Sequence, residues 1–393
     1  MVGRVLPSTI DYLDWIEGRP GSVDHDLGSS DLRGADTRET DAVVPERLVG
    51  LDTPEDVSLG EILASIYGVS PASVLVVAGA SLANAVAAAT VLDGIRPPTD
   101  APASSDSARP DAGGGGSAAG SVLVERPGYE PLVETPRLFG ARVDRFSRPE
   151  STGWRLDPDR VDAAVVGDTA LVTVTNRHNP SGRLTTSERL ADVASVTSGH
   201  DARLLVDEVY APYVLPSDDR GAGDGRAFGG VTAAGLDGTV VTGSLTKFHG
   251  FGGLGVGWLD ADERFVERAE RVARHFPSLP GPSRALGRRA LANRELLERD
   301  SRALLGRNAA LLSAFVAERA DLVGPVHEGA SYALLAHERA DGDEVAAAAL
   351  DHGLLVVPGR FFEAPERFRV SLGRDTAHVR EALDVLGGVL DDL

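Results

Sequence analysis

Apolar residues recur along the chain in short runs that stop at small or acidic residues: 74–77, 121–125, 170–175, 203–207, 239–242 and 256–259. Short runs of this kind, rich in Val and Leu, predict strands buried on both faces. Between many of them the apolar period lengthens to that of a helix. Residues 81–92 are one case, and 185–197 another, where Thr185 and Glu188 have the spacing of a capping box. Strands alternating with helices predict an α/β fold with a mostly parallel sheet flanked by helices. Residues 262–275 and 294–322 read as further helices. Beyond them the pattern changes. Residues 332–336, 354–357 and 368–372 read as strands of a smaller α+β unit, closed by an amphipathic helix from 376 to the end. The expected division is a large domain over 43–276 and a small domain made of 1–42 with 277–393.

Two stretches break the pattern. Residues 97–121 are rich in Pro, Ala, Ser, Asp and Gly, with a glycine run at 113–116. Too little of this segment can be buried, which predicts a flexible surface insertion, with a binding segment as the alternative. Residues 217–230 read as a second polar loop. No internal repeat is visible.

Charge narrows the function. The 393 residues carry 59 acids against 39 bases, a formal charge of −20. Such a chain repels nucleic acid and anionic membranes, so neither is an expected partner. No uncharged apolar stretch is long enough to span a bilayer. The acids within 1–20 do not suit a secretory signal, so a cytoplasmic protein is expected. Without cysteine there is no disulfide, thiolate metal site or cysteine nucleophile. His337-Glu338 lacks a second histidine at metal-ligand spacing, so no metal site is expected. The nine histidines read mostly as surface or loop residues, His249 alone as a pocket-lining one. Of the bases, 38 are arginine and one, Lys247, is lysine. Many acids with almost no lysine resemble the proteins of salt-loving organisms, which predicts a halophilic chain. A lysine that survives in such a chain asks for a chemical reason.

Lys247 ends Thr242-Gly243-Ser244-Leu245-Thr246-Lys247, where the strand 239–242 runs into a turn. A desolvated lysine amine can lose its proton and form a Schiff base with a carbonyl, which arginine cannot do. A leftover surface lysine is the plain alternative. The run Arg203-Leu204-Leu205-Val206-Asp207-Glu208-Val209-Tyr210 puts Asp207 at the carboxyl end of a buried strand, where α/β sheets place ligands. That acid either holds a positive charge on a heterocycle nitrogen or caps the next helix. Asn176-Arg177-His178-Asn179-Pro180-Ser181-Gly182 follows the strand 170–175. Asn179 either aims its amide into a cleft or serves a simple turn. Val77-Ala78-Gly79-Ala80-Ser81 is a strand-to-helix junction whose N–H groups suit a phosphate, with Ser81 an extra ligand or an ordinary N-cap. Gly250-Phe251-Gly252-Gly253-Leu254-Gly255 has the spacing of a dinucleotide fingerprint, but a strand-like run follows where a helix should, so it is set aside.

In this order the elements Asn179-Pro180-Ser181-Gly182, Asp207 to Tyr210 and Ser244 to Lys247 resemble the class I/II aminotransferases among the fold-type I pyridoxal-phosphate enzymes. The resemblance runs from about residue 24 to the end, with 97–121 outside it. It implies pyridoxal 5′-phosphate as cofactor, bonded to Lys247 as a Schiff base. The freed amine of Lys247 would carry the proton at the substrate Cα. Asp207 would pair with the pyridinium nitrogen. Tyr210 and Asn179 would bond the phenolic oxygen. Gly79, Ala80, Ser81 and Ser244 would hold the phosphate, and Tyr129 would stack on the ring unless it is a core or rim residue. Arg369, in Arg367-Phe368-Arg369-Val370-Ser371, would clamp the substrate α-carboxylate as a bidentate fork, with Asn179 beside it and Gly28 at the substrate entrance. Arg367 and Arg374 read as surface charges. The resemblance further implies a homodimer and small-molecule substrates, an amino acid and a 2-oxo acid.

Two departures qualify it. Gly255 stands where relatives carry a phosphate-binding arginine, removing a contact worth ~1.5–3 kcal/mol. The tyrosine that relatives lend to the neighbouring subunit has Tyr67 as its nearest counterpart. The function expected is aminotransfer. The alternatives are decarboxylation, elimination or racemisation on the same scaffold, or a dimer that binds the cofactor without catalysis.

Overall fold

The computed structural model describes residues 9–32, 43–93, 120–210, 226–228 and 230–393. The expected insertion at 97–121, up to residue 119, and most of the expected polar loop at 217–230 lie outside them. Helix α1 (Asp11–Ile16) and strand β1 (His25–Asp26) come first. Helix α2 (Leu59–Tyr67) starts at a capping box between Ser58 and Glu61 and stops at the left-handed Gly68. Then β2 (Val74–Ala78), α3 (Ala80–Asp93), β3 (Ser121–Arg126), α4 (Pro131–Leu138), β4 (Arg142–Ser147), α5 (Pro158–Ala164), β5 (Thr169–Thr175), α6 (Ser187–Gly199) and β6 (Arg203–Asp207) alternate. A hairpin of β7 (Arg226–Ala227) and β8 (Gly230–Val231) precedes β9 (Thr239–Ser244) and β10 (Val256–Ala261). Helices α7 (Glu263–Ala273), α8 (Gly281–Ala292) and α9 (Arg294–Ala317) follow. The remainder is β11 (Leu322–Val323), β12 (Tyr332–His337), α10 (Gly342–Asp351), β13 (Leu354–Leu355), β14 (Val357–Pro358), β15 (Phe368–Ser371) and α11 (Thr376–Asp391).

Seven strands form one sheet in the order β2-β10-β9-β6-β5-β3-β4. Strand β10 runs against both neighbours, and the pairs from β9 to β4 are parallel. Alternate residues of the inner strands serve opposite faces. Val172, Leu204 and Val241 pack with Leu63 of α2, Val193 of α6 and Leu286 of α8. Leu171, Leu205 and Val240 pack with Val86 of α3, Leu132 of α4 and Phe265 of α7. The fold is therefore α/β, with helices on both faces of a mostly parallel sheet. A second sheet, β11-β12-β15-β14, is antiparallel and shares a separate core with α10, α11 and the second half of α9. Leu297 of α9 belongs to the first core and Leu304 to the second, so the chain passes between them along one helix.

Three expectations need correction. Helix α6 is capped by Thr186, whose hydroxyl accepts from Arg189 N, not by Thr185. The Thr185 backbone is bonded on both sides to the Asn176 amide, which holds it in the preceding turn. The helix expected over 294–322 ends at Ala317, because Arg319 turns to pair with Asp321 and Asp391 and Leu322 joins β12. The strand expected over 354–357 is two, β13 on β1 and β14 on β15. No helix among the described residues is long and apolar enough to cross a membrane.

Candidate active site

Strands β2, β9, β6 and β5 point the same way, so the turns after them meet along one edge of the sheet. At the first, Gly79 has φ of +89°, which glycine adopts without strain. A Cβ on Gly257 of β10 would stand 2.2 Å from the Gly79 carbonyl carbon and 2.6 Å from Ala80 N. The bare glycine lets the start of α3 rest on the sheet. Gly79, Ala80 and Ser81 thus gather at a helix N-terminus, and Ser244 of β9 pairs with Gly257 on the other side of β10 from β2. Ser81 is exposed within the first turn of α3 and is not its N-cap.

Asp207 is buried at the end of β6. Its carboxylate accepts from Asn84 Nδ2 at 2.9 Å and from Val209 N at 3.2 Å. Asn84 is held in turn by Thr242, whose hydroxyl donates to its Oδ1 at 2.6 Å. Burial pushes the Asp207 carboxyl up; Asn84, the Val209 N–H and the charge on Lys247 pull it back down. The acid bonds the following backbone and also feels the lysine.

Lys247, Asn179, Tyr210, Tyr129, Tyr12 and Arg369 line one cleft of about 360 Å³. The half-buried Lys247 amine donates to Asp31 Oδ1 at 2.5 Å and to Ser30 Oγ at 3.1 Å. Burial alone would lower its pKa, but Asp31 and the tyrosines Tyr210, Tyr129 and Tyr12 outweigh burial and raise it. Tyr210 donates to the same Ser30 oxygen at 3.1 Å.

Arg369 on β15 is fully buried. It donates to Asn179 Oδ1 at 2.9 Å, to Tyr12 OH at 3.0 Å and to the Gly28 carbonyl at 3.4 Å. Its guanidinium carbon lies 4.8 to 5.7 Å from the rings of Phe362, Tyr332 and Tyr12. Its Nε has no partner, and no carboxylate among the described residues pairs with it. A buried cation without an acid is costly unless an anionic ligand completes it. Behind Asn179, the fully buried pair Glu125 and Arg148 sets the loop. Glu125 accepts from Thr175 N and Oγ1 at 2.7 and 2.6 Å, and Thr175 Oγ1 accepts from Asn179 N at 2.9 Å.

The structure thus gathers Lys247, Asn179, Tyr210, Tyr129 and Arg369 in the cleft, with Asp207 behind the lysine. Gly28 supports the back of Arg369 through its carbonyl and does not line the cleft. His249 does not line it either; it is buried against Phe228 and Phe248. Arg367 and Arg374 are not surface charges. Arg367 is buried over Trp154 with Glu150, and Arg374 is half-buried on Asp26. Tyr67 is a core residue whose hydroxyl accepts from Trp258 Nε1 at 2.9 Å. Gly255 has φ of +57° and closes the turn 252–254, a conformation that disfavours an arginine there. Sequence reasoning missed Tyr12, Ser30, Asp31, Asn84, Glu125 and Tyr332. A polar Asn84 inside an Ala- and Val-rich helix was the available signal for one of them.

The family described as aminotransferase class I and II matches residues 117–386. The chain belongs to that family. Relatives include the histidinol-phosphate aminotransferase of Rhodospirillum centenum, 29% identical over 271 residues, 68% of this chain and 70% of the relative. The aspartate/prephenate aminotransferase of Thermus thermophilus is 26% identical over 276 residues, 68% of this chain and 69% of the relative. Among solved structures, a PLP-dependent aminotransferase from Streptococcus suis superposes with a TM-score of 0.77 at 20% identity, covering 98% of both chains. Thermus thermophilus aspartate aminotransferase with maleate has a TM-score of 0.74 at 21% identity, over 98% of this chain and 97% of that one.

Proposed function

We propose that the chain is a pyridoxal-phosphate-dependent enzyme that moves an amino group between an amino acid and a 2-oxo acid. The observation that carries this reading is the only lysine of the chain sharing one cleft with a buried arginine that has no acid partner among the described residues. The donor set suits the cofactor: a helix N-terminus for a phosphate, a buried acid for a ring nitrogen, and one amine. Bound there, pyridoxal phosphate would supply an aldehyde that takes up nitrogen and a ring that withdraws electrons.

Each residue has a part. Lys247 presents the amine that holds the cofactor and then moves the proton at the substrate Cα. Asp207, aligned by Asn84, offers its charge to the ring nitrogen. Gly79, Ala80, Ser81 and Ser244 take the phosphate without help from an arginine at 255. Asn179 accepts from Arg369 through its oxygen, which leaves its amide N–H groups to donate to the phenolic oxygen together with Tyr210. Tyr129 packs on the ring. Arg369 clamps the α-carboxylate, with the Gly28 carbonyl fixing its fork. We assign the boundary between the domains to the stretch of α9 between Leu297 and Leu304, later than the expected 276, because α8 and the start of α9 share the core of the large sheet, and we take the working unit as a cytoplasmic homodimer.

The test is direct. Cofactor added to the purified protein should give a Schiff-base absorption band, and borohydride should fix it on Lys247. Lys247→Ala should lose both, along with turnover. Nitrogen should pass from an amino donor to added 2-oxoglutarate or pyruvate. Product release without any acceptor would overturn aminotransfer in favour of a lyase or decarboxylase.

A further inference from the structure

Lys247 faces an acid that no step of the proposed reaction uses. Asp31 lies on the segment 26–32, which crosses the cleft in a fixed path. The Asp26 N–H donates to His378 Nε2 at 2.8 Å, and its carboxylate accepts from Gly28 N, Ser29 N and Arg374 Nε at 2.8, 2.9 and 3.1 Å. Leu27 bonds both ways, its N–H to the Leu355 carbonyl at 2.9 Å and its carbonyl from Ser371 N at 2.7 Å. Leu32 N donates to the carbonyl of Lys247 itself at 3.1 Å. Two glycines make room for this path. A Cβ on Gly373 would stand 2.4 Å from the Asp31 carbonyl oxygen, and one on Gly250 would stand 2.6 Å from that of Leu32. Asp31 is therefore held from both sides of its backbone, and its reach to the amine is built in.

The other groups around the amine do not replace it. Tyr210, Tyr129 and Tyr12 face it from the β6 turn, the turn before α4 and α1, and burial pushes the phenols of Tyr210 and Tyr129 up, away from the charged form. Asp207 stands behind it, engaged with Asn84. Arg369 lies across the cleft with a charge of the same sign. The geometry points to Asp31 as a positioning residue: together with Ser30, its carboxylate keeps the Lys247 amine charged and aimed into the cleft in the cofactor-free protein. An opposite charge at 2.5 Å favours the protonated amine. The reactivity of the lysine is then set by a strap from the N-terminal part of the chain. This inference rests on the geometry of Lys247, and it can fail while the cofactor reading stands.

Because Lys247 is the only lysine, its titration can be read without interference from another. The cofactor-free full chain is labelled with trace acetic anhydride across a range of pH, and acetylation of the Lys247 peptide is followed by mass. The wild-type midpoint should lie above the ~10.4 of free lysine. In Asp31→Asn the midpoint should fall by at least about one unit, which is roughly tenfold more labelling at pH 8. A purely structural contact would change the plateau and leave the midpoint in place. A wild-type midpoint at or below that of free lysine overturns the proposal, and so does a folded Asp31→Asn that titrates as the parent does. If that variant does not fold, the wild-type midpoint alone decides.

Discussion

Glu208 follows Asp207 directly, yet its side chain leaves the strand end on the other side and meets different partners. It accepts from Thr232 Oγ1 at 2.8 Å and from Ala233 N at 2.7 Å. Burial pushes its carboxyl up to about 8, and burial likewise pushes Asp260 up to about 6. Among the described residues neither acid pairs with a base, whereas the neighbouring Asp207 has Lys247 to draw it down. The consequence for stability has a definite sign. A folded-state pKa above the unfolded value means the fold binds the proton more tightly, so its contribution is whole below about pH 4.5 and is lost as pH rises to about 8. Glu208→Gln keeps an acceptor for Ala233 N, turns its amide NH2 to donate to Thr232 Oγ1, and has no charge to bury. It should melt close to the parent at pH 5 and above it at pH 8, by an amount on the order of a few kcal/mol. Melting curves at the two pH values check this, and an unchanged gap between variant and parent would sink it.

The junction of β2, α3 and β10 is where one element is made to fit another. Gly257→Ala would drive a methyl into the backbone of Gly79 and Ala80, which has no flexible end to swing aside. The start of α3 should lift off the sheet while the strands stay paired. Cofactor affinity should fall at least about tenfold, with a stability loss of about 1–3 kcal/mol. Equilibrium titration with pyridoxal phosphate measures the first and thermal melting the second; unaltered affinity would remove the phosphate from this helix end. The same junction explains what was legible in the chain. Inner strands buried on both faces read as unbroken apolar runs, so 203–207 was found to the residue. The turns after β5, β6 and β9 each carry a residue with an ordinary alternative use, and it is their occurrence together in this order that points to Asn179, Asp207 and Lys247. What escaped was local competition and distance. Thr185 and Thr186 are both capping residues, and the Asn176 amide decides between them. Gly255 reads as a lost arginine until its positive φ shows a turn that needs a glycine. Asp31 is 216 residues from Lys247, Tyr12 is 357 from Arg369, and no local pattern announces either pair.

At the scale of the whole molecule, the charge of −20 acts on every element at once. Like charges repel more strongly in the compact fold than in the extended chain, so dilute buffer should weaken it. Salt acts in both directions. Exposed pairs such as Arg142 with Asp144 and Asp168 lose strength when screened, but each contributes little to begin with. The uncompensated acids gain, because screening shortens the range of their repulsion from about 10 Å at 0.1 M to about 3 Å at 1 M. The repulsion is summed over the surface and each exposed pair is individually weak, so the gain should win. We therefore propose that stability and turnover rise together with salt into the molar range. Melting midpoints in potassium chloride from 0.05 M upward check this, with initial rates measured in the same series. Beyond about 1 M screening is nearly spent, and a continuing rise would have to come from salt excluded by the folded surface. Full stability in dilute buffer, or a midpoint that falls as salt is added, would overturn the proposal. The outcome also bears on the cleft, since a pair as close as Lys247 and Asp31 is screened far less than exposed charges. Its titration should hold its midpoint while the melting temperature moves.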